Sequence, residues 1–180
     1  MRRLDPKSLG QHLDVLYRAA WALCGSREDA EDLVQETYAK VLARPRMIRE
    51  DDRAYLLRAL RNTFYTRLRT AARRPLQAAT LDEIEAADPR AVRRPDQAAE
   101  FGEILDAIAQ LPEDFRLAIV AVDVIGLSYG EAAQALDTRE ATITTRLYRA
   151  RQRIARQFAD PPGEIREGSD PSGVSPWESR

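Results

Sequence analysis

Arginine and threonine side chains recur near the end of the chain at spacings that suit the reading of DNA. The segment 126–158 is predicted as two short helices joined by a tight turn, with an apolar stripe along the second. That layout is typical of a helix-turn-helix, whose second helix enters the major groove. Arginine can bind guanine or phosphate, and threonine can contact a thymine methyl group or a phosphate. The side chains predicted to face outward are Arg139, Thr142, Thr144, Thr145, Arg146 and Arg149.

A second basic segment, residues 53–74, lies far upstream and holds seven arginines and no acid. Its aromatic rings beside guanidinium groups suit unpaired bases, because each stacked base contributes roughly 1–3 kcal/mol. Tyr55 and Tyr65 are the candidates, whereas Phe64 is predicted to lie in the core. A plain basic helix explains this segment equally well. For residues 126–158 the alternative is an ordinary amphipathic helix, and the capped helix, tight turn and basic helix together favour DNA binding.

Acidic side chains cluster on the helix predicted from Ser26 onward. Asp29, Asp32 and Glu36 fall on one outward side, with Gln35 beside them. Their separation from the arginine-rich segments indicates surfaces with different partners. Carboxylates early in a helix also favour its N-terminal dipole, so helix stabilisation alone is the alternative. A metal site is not expected, because these carboxylates face solvent on one helix with no histidine near.

Composition excludes several classes of protein. The only histidine is His12 and the only cysteine is Cys24, so no intramolecular disulfide can form. With no glycine-rich phosphate loop and no spaced ligand cluster, we expect no enzyme, no cofactor and no metal. No apolar run approaches the roughly 20 residues of a membrane span, and the N-terminus lacks the apolar core of a signal peptide. A cytoplasmic protein without a membrane partner is therefore expected.

Apolar residues recur at helical spacing through most of the chain, and no convincing alternating strand is found. The predicted fold class is all-α, with two small helical domains joined by a flexible linker, the C-terminal one a helix-turn-helix. The predicted boundaries are 1–75 for the first domain, 76–100 for the linker, 101–158 for the second domain and 159–180 for a disordered tail. The inward positions include Leu13, Leu16, Ala20 and Leu23, then Val34, Tyr38, Val41 and Leu42, and then Leu57, Leu60, Phe64 and Leu68. The first helix of the second domain is predicted from Ile104, Leu105, Ile108 and Leu111.

Local signals predict where the helices begin and end. Gly25 suits a left-handed C-terminal cap, and Ser26 opens the next helix with Asp29 as its capping-box partner. Residues 44–52 are predicted as a loop. Ser128 and Glu131 form an S-x-x-E capping box, and Asp137 and Thr138 occupy the turn of the helix-turn-helix.

Both halves resemble the extracytoplasmic-function group of bacterial sigma-70 factors, the initiation subunits of RNA polymerase. Two segments resemble the family's second region, DAEDLVQETY and AYLLRALRNTFYTRLR. Two others resemble its fourth region, LPEDFRLAIVAVDVIGLSYGEAAQAL and TITTRLYRARQRI. The resemblance covers about residues 10–74 and 101–158. The occurrence of DAEDLVQE, RNxxxxxLR and GLSYxEAA in this order is specific to the family, whereas a lone helix-turn-helix would be weak evidence for it.

The resemblance implies a role for each segment. Five residues match the family's helix that docks on core RNA polymerase: Asp29, Asp32, Leu33, Gln35 and Glu36. The part that engages the −10 element and promotes melting is matched by Tyr55, Arg58, Arg61, Asn62 and Tyr65. The loop 44–52 matches the segment that captures a flipped base of the non-template strand, and the outward face of the helix-turn-helix matches the −35 reader. The implied partners are core RNA polymerase and promoter DNA, both duplex and melted, and anti-sigma factors are common partners in the family.

Three positions depart from the family's pattern. Asp137 stands where relatives often have glycine, and aspartate tolerates the left-handed conformation. Thr144 stands where a basic residue is frequent, which indicates a different promoter sequence. Tyr55 replaces a frequent tryptophan, which is a mild change.

The alternative function is a free-standing helix-turn-helix regulator that binds duplex DNA without polymerase. Such a regulator has no evident use for the acidic DAEDLVQE helix. That helix therefore favours the promoter-specificity subunit.

Overall fold

The computed structural model describes residues 2–3, 6–43, 47–48, 51–73 and 95–159. Within these ranges the architecture is helical, as predicted. The α-helices are α1 (Leu13–Cys24), α2 (Arg27–Ala43), α3 (Asp52–Arg73), α4 (Pro95–Ala109), α5 (Glu113–Ile119), α6 (Tyr129–Ala135) and α7 (Glu140–Phe158). The shorter elements are a 3-10 helix (Pro6–His12), a π-helical turn after α5 (Val120–Val124), and the two-residue strands β1 (Arg2–Arg3) and β2 (Met47–Ile48).

The segment predicted as a loop contains a short piece of strand. Strand β2 pairs antiparallel with β1, and Ile48 is buried. Asp51 then accepts hydrogen bonds from the Arg53 backbone N–H at 2.9 Å and from its guanidinium at 3.1 Å, at the start of α3. The rest of the loop's interior, at 44–46 and 49–50, lies outside the described residues. So do the predicted linker as far as Pro95 and the predicted tail after Ala159.

The first half of the chain is a bundle of α1, α2 and α3. Its centre is α1, whose buried residues Leu16, Ala20 and Leu23 face the other two helices. The contacting face of α3 supplies Leu57 and Leu60, both fully buried. This packing leaves the acidic side of α2 and one arginine-bearing side of α3 at the surface.

The second half packs α5, its π-helical turn and α6 against α7. Helix α4 also lies along α1, so one hydrophobic core runs through both halves. Helix α4 begins at Pro95, earlier than the predicted start near Phe101, because proline is favourable in the first turn of a helix. The two halves therefore meet in this structure along the α1–α4 contact.

Three side chains predicted to face inward are exposed, so those predictions are wrong. Leu13 lies at the first residue of α1, and Leu42 lies next to the last residue of α2, where the neighbouring helices no longer cover them. Leu68 lies in the part of α3 that extends past the bundle. Helical periodicity identifies a face, and the length of the neighbouring helix decides how much of it is covered.

The predicted helix ends are confirmed. Gly25 adopts φ 76° and donates its N–H to the Trp21 carbonyl at 2.7 Å. The Ser26 hydroxyl accepts the Asp29 N–H at 3.1 Å, which is one of the two hydrogen bonds of the predicted capping box. Ser128 and Glu131 form the reciprocal capping box at the start of α6. These caps fix the angles at which α2 and α6 leave the preceding turns.

Candidate nucleic-acid interface

Helix α7 is anchored by its apolar stripe and by the turn that precedes it. Ile143, Leu147 and Ala150 are buried against α5 and α6. Asp137 adopts φ 53°, the left-handed conformation that reverses the chain between α6 and α7. The stripe and the turn together fix which side of α7 faces outward.

The outer side of α7 presents most of the predicted −35 residues. Thr144 and Thr145 are exposed, and their hydroxyls donate to backbone carbonyls one turn back at 3.1 and 3.0 Å. Each hydroxyl therefore keeps an acceptor lone pair, and each side chain keeps a methyl group, for a base or a phosphate. The side chains of Arg139 and Arg149 are exposed, and their guanidinium groups make no hydrogen bond or ion pair with any described residue. Thr142 is only partly exposed.

Arg146 differs from the other predicted −35 residues, because its guanidinium is already paired. It contacts the Asp114 carboxylate of α5 at 2.7 Å and is half-buried. Arg151, outside the predicted set, makes two hydrogen bonds to Asp123 at 2.6 and 3.0 Å. Arginines on this helix therefore divide into those that brace it and those that face solvent.

Sequence reasoning missed two exposed residues on α7. Tyr148 is 63% exposed, and its hydroxyl accepts a hydrogen bond from Gln152 at 2.7 Å. Both follow Thr144 at intervals of four residues, so they extend the same outward stripe. The helical spacing could have identified them, but a tyrosine is easily assigned to the core.

The predicted −10 residues share one side of α3. Asn62 is exposed, and Tyr55, Arg58, Arg61 and Tyr65 are partly exposed. The Tyr65 hydroxyl donates to the Glu113 carboxylate of α5 at 2.5 Å. Burial, followed by this hydrogen bond to a carboxylate, raises the pKa of Tyr65 above its ordinary value. The phenol is therefore neutral and serves as a donor in this arrangement.

A cavity of about 250 Å³ lies between this side of α3 and the helix-turn-helix. Its lining combines predicted −10 residues with one predicted −35 residue and two acids. The lining residues are Arg61, Asn62, Tyr65, Arg69, Glu113, Asp114, Leu117, Leu136 and Arg146. The structure thus brings together two sets of residues that sequence analysis placed in separate domains.

The acidic side of α2 is exposed where prediction placed it, with one correction. Asp29, Asp32 and Gln35 face solvent, and the Asp32 side chain is 64% exposed. Leu33 is fully buried in the core. Its assignment to a docking surface is therefore wrong for this arrangement, because a buried leucine packs α2 and cannot touch a partner directly.

Glu36 links the acidic surface to neighbouring basic groups. Its carboxylate contacts Lys40 at 2.7 Å and the Arg67 guanidinium of α3 at 2.7 Å. The hydrogen bond from Lys40, with that from Arg67, lowers the pKa of Glu36 below its ordinary value. Arg67 also lies 3.8 Å from Asp32 and donates to the Asp29 carbonyl at 3.4 Å. A single arginine thus orients most of the acidic surface.

The described residues also bear on metal binding, thiol reactivity and membrane insertion. Among them, no three histidine, cysteine or acidic side chains are grouped closely enough to hold a metal. Burial raises the pKa of the Cys24 thiol to about 11, so it is a poor nucleophile at neutral pH. None of the described helices combines the length and apolar character needed to cross a membrane.

Comparison with known families matches both halves of the chain. The model of sigma-70 region 2 matches residues 9–74, and that of sigma-70 region 4 matches residues 101–154. The chain belongs to the sigma-70 family. It is of the extracytoplasmic-function type, because curated sigma factors of that type are its relatives at more than 30% identity. The resemblance drawn from the motifs is confirmed, and region 2 and region 4 are used below for the two matched halves.

Two relatives show the extent of the similarity. The extracytoplasmic-function sigma factor SigE of Mycolicibacterium smegmatis is 32% identical over 147 residues, which cover 80% of this chain and 57% of SigE. The chain therefore spans little more than half the length of that relative. EcfG of Rhodopseudomonas palustris is 33% identical over 144 residues, which cover 76% of this chain and 75% of EcfG.

Among solved structures, the fold is similar to that of the sigma factor RpoE from Bartonella quintana, determined in complex with the anti-sigma factor NepR. The TM-score is 0.60 at 25% identity, and the match covers 84% of this chain and 96% of that chain. The all-α fold predicted from sequence is thus confirmed.

Proposed function

We propose that this chain binds core RNA polymerase, directs it to promoters by reading −35 and −10 elements, and helps to melt the DNA for initiation. The supporting observation is the presence, on one sigma-family chain, of an exposed acidic surface on α2 and two separate arginine-bearing helices, α3 and α7. The acidic surface suits a basic partner protein, and the arginines suit phosphates and bases.

Helix α7 is the proposed reader of the −35 element in the major groove. Its exposed Arg139, Thr144, Thr145 and Arg149 supply phosphate and base contacts, and Tyr148 adds a large exposed ring. Thr142 borders this surface. Arg146 would join it after separation from Asp114.

Helix α3 is the proposed reader of the melted −10 element. Tyr55 and Tyr65 supply rings for unpaired bases, and Arg58, Arg61 and Asn62 supply positive charge and hydrogen bonds. Bases extruded from the duplex lose stacking worth a few kcal/mol per step, which contacts with these side chains would offset. The chain itself performs no nucleotide chemistry in this proposal, and it acts in the cytoplasm, where polymerase and chromosome meet.

The decisive experiment is run-off transcription with core RNA polymerase over a randomised promoter library. We expect the chain to make transcription start at a defined subset of templates that share two spaced elements. Binding of selected duplexes by the chain, without any start-site selection by polymerase, would instead establish the free-standing regulator.

Docking through α2 is tested by capturing core polymerase on the immobilised chain. Asp32→Arg reverses the charge of an exposed predicted contact. We expect retention to fall about tenfold or more, since like charges at an interface cost several kcal/mol. Glu31→Arg makes the same charge change on the adjacent, differently directed position and serves as the control. Equal retention of both variants and wild type would contradict the docking role.

An anti-sigma factor is a further proposed partner. The support is the similarity to RpoE, which was solved bound to the anti-sigma factor NepR. Co-purification of the tagged chain from its host, followed by run-off transcription with the captured protein added, tests this proposal. A captured protein that leaves transcription unchanged would not be an anti-sigma factor.

A further inference from the structure

The segment that precedes α1 reaches the connection between α2 and α3. Strand β1 pairs antiparallel with strand β2, with Arg2 opposite Ile48 and Arg3 opposite Met47. Strand β2 follows α2 and precedes α3 in the chain. Strand β1 lies before residues 9–74, so the match to sigma-70 region 2 does not extend to it. The pairing is therefore a long-range backbone contact that the family match does not explain.

The 3-10 helix (Pro6–His12) anchors this segment to α2. Leu9 is buried, and its carbonyl accepts a hydrogen bond from the Tyr38 hydroxyl at 2.9 Å. Burial raises the pKa of Tyr38, so the hydroxyl stays protonated and remains a donor. Two residues separate β1 from the 3-10 helix, so at most roughly 11 Å of chain joins them. The anchored helix therefore keeps β1 within reach of β2.

The other end of the 3-10 helix lies beside the start of α3. Asp51 accepts two hydrogen bonds from Arg53 at this point. Although burial opposes the shift, these hydrogen bonds and the nearby charges of Arg53 and His12 lower the pKa of Asp51. His12 is the last residue of the 3-10 helix. The anchored segment thus adjoins residues on both sides of β2 in the chain, Tyr38 before it and Asp51 after it.

The anchor is needed because the ladder is short. A pair of isolated strands is marginally stable in water, and β1 and β2 have only two residues each. Anchorage reduces the entropy that is lost when the strands meet, since β1 is already held close to β2. Burial of Ile48 fixes the register of β2, because a slip of one residue would turn this side chain away from the core.

Under the proposed function, the connection held in this way has a direct role. The resemblance to the family assigns residues 44–52 to the capture of a base flipped from the non-template strand. Capture is more favourable when the capturing backbone is already ordered, because its conformational entropy is not lost on binding. Strand β2 and Asp51 are the described parts of these residues that precede α3.

We propose that β1, together with the 3-10 helix that anchors it, positions β2 for base capture, so that the segment before α1 forms part of the −10 reader. Arg2 and Arg3 act as positioning residues through their backbone groups and not through their charges. The role in base capture rests on the proposed function. The pairing of β1 with β2 rests on the structure alone.

Two double variants separate the effect of pairing from the effect of charge. Arg2→Pro/Arg3→Pro removes both backbone N–H donors of β1, whereas Arg2→Gln/Arg3→Gln removes the same two charges and keeps both donors. Tyr38→Phe removes the hydroxyl that binds the Leu9 carbonyl and keeps the ring, so it loosens the anchor without altering β1. Far-UV circular dichroism verifies that each variant remains helical.

Hydrogen–deuterium exchange on the full chain reports the pairing. At least one amide of β2 should exchange about tenfold faster in the proline variant than in wild type, because local opening no longer breaks a ladder. The glutamine variant should exchange at the wild-type rate, and Tyr38→Phe should lie between the two. Wild-type amides that already exchange as fast as those of the proline variant would overturn the pairing. An unchanged rate in Tyr38→Phe would overturn the anchoring.

Two measurements with core polymerase report base capture on a promoter chosen by the run-off selection. Gel shift of the closed complex measures duplex binding, and permanganate reactivity of unpaired thymines measures melting. We expect the proline variant to lower the melted fraction about fivefold or more, because additional backbone must be ordered on capture. Its duplex binding should stay at the wild-type level, and the glutamine variant should match wild type in both measurements.

Two results would overturn the positioning role. The first is an equal loss of melting in both double variants, which would assign the effect to charge. The second is unchanged melting in a proline variant whose β2 amides have lost their protection. Failure of the run-off selection would instead contradict the proposed function, and hydrogen exchange would still decide whether β1 holds β2.

Discussion

At the scale of single residues, the arginines of α7 have two different roles. Arg146 is paired with Asp114 of α5, Arg151 with Asp123 of the π-helical turn, and Arg153 lies over the Phe115 ring. These contacts hold α7 against α5 and the π-helical turn. Arg149 is exposed and makes no contact of this kind with the described residues, so its charge is available to DNA.

Arg149→Ala should weaken binding of the selected promoter duplex. If Arg149 contacts a phosphate, the slope of log affinity against log salt concentration should fall by about one unit, because one fewer counterion is released. Fluorescence anisotropy at several salt concentrations measures the slope. Arg156→Ala removes an exposed charge near the end of the same helix and is the control. An unchanged slope for Arg149→Ala would exclude a phosphate contact.

Asp137 shows how a departure from the family's pattern keeps the fold. Its φ of 53° lies in the left-handed region, which aspartate adopts more readily than β-branched residues do. The free energy of unfolding of Asp137→Val should therefore be at least about 1 kcal/mol lower than that of Asp137→Gly. Urea denaturation of the two variants measures the difference. Equal stabilities would mean that the turn changes conformation to relieve the strain.

At the scale of helices, Arg67 ties α3 to the acidic side of α2. It contacts Glu36 closely and Asp32 more distantly, so it holds the acidic surface in one orientation. These groups are about one third exposed or more, so each pair contributes at most about 1 kcal/mol to stability. Orientation of the surface is the larger consequence.

Glu36→Gln should lower stability at neutral pH and have little effect in acid. The pKa of Glu36 is lowered in the folded chain, chiefly by Lys40, so its contribution is present above the unfolded value and is lost as pH falls through the folded value. Urea denaturation at pH 7 should therefore show a gap in the free energy of unfolding between the variant and wild type. This gap should close at pH 3. Glu31→Gln changes an exposed acid of the same helix beyond its first turn and serves as the control. A gap that persists at pH 3 would mean that packing, and not charge, is lost.

At the scale of the whole molecule, the two regions share one hydrophobic core in this structure. Trp21 of region 2 and Leu105 of region 4 belong to the same buried cluster. Regions that share a core should unfold together, since neither keeps its buried surface alone.

Calorimetry should therefore show one unfolding transition for the wild-type chain. Gly102→Leu should separate it into two, because even a Cβ at this position of α4 would lie 3.1 Å from the Trp21 ring of α1. Gly10→Leu is the control and should retain the single transition, since a side chain there meets nothing within 4 Å. Two transitions in the wild-type chain would mean that the regions fold independently in solution and would count against the shared core.

Much of the helical framework and its caps could be predicted from local sequence, because capping boxes, glycine ends and apolar periodicity act over a few residues. The Ser128–Glu131 box and the Gly25 end are examples. Predictions failed where a distant helix decides burial. Leu68 was expected to be buried and is exposed, since no neighbouring helix covers the end of α3.

Residue types at short spacing were enough to predict the family, the helical fold and the three charged surfaces. Which side chains of those surfaces are available depends instead on how the helices pack. This packing buried Leu33, paired Arg146 with Asp114, and brought Tyr65 against Glu113. The reason is physical: these contacts join residues far apart in the chain, and no local pattern specifies which helix faces will meet.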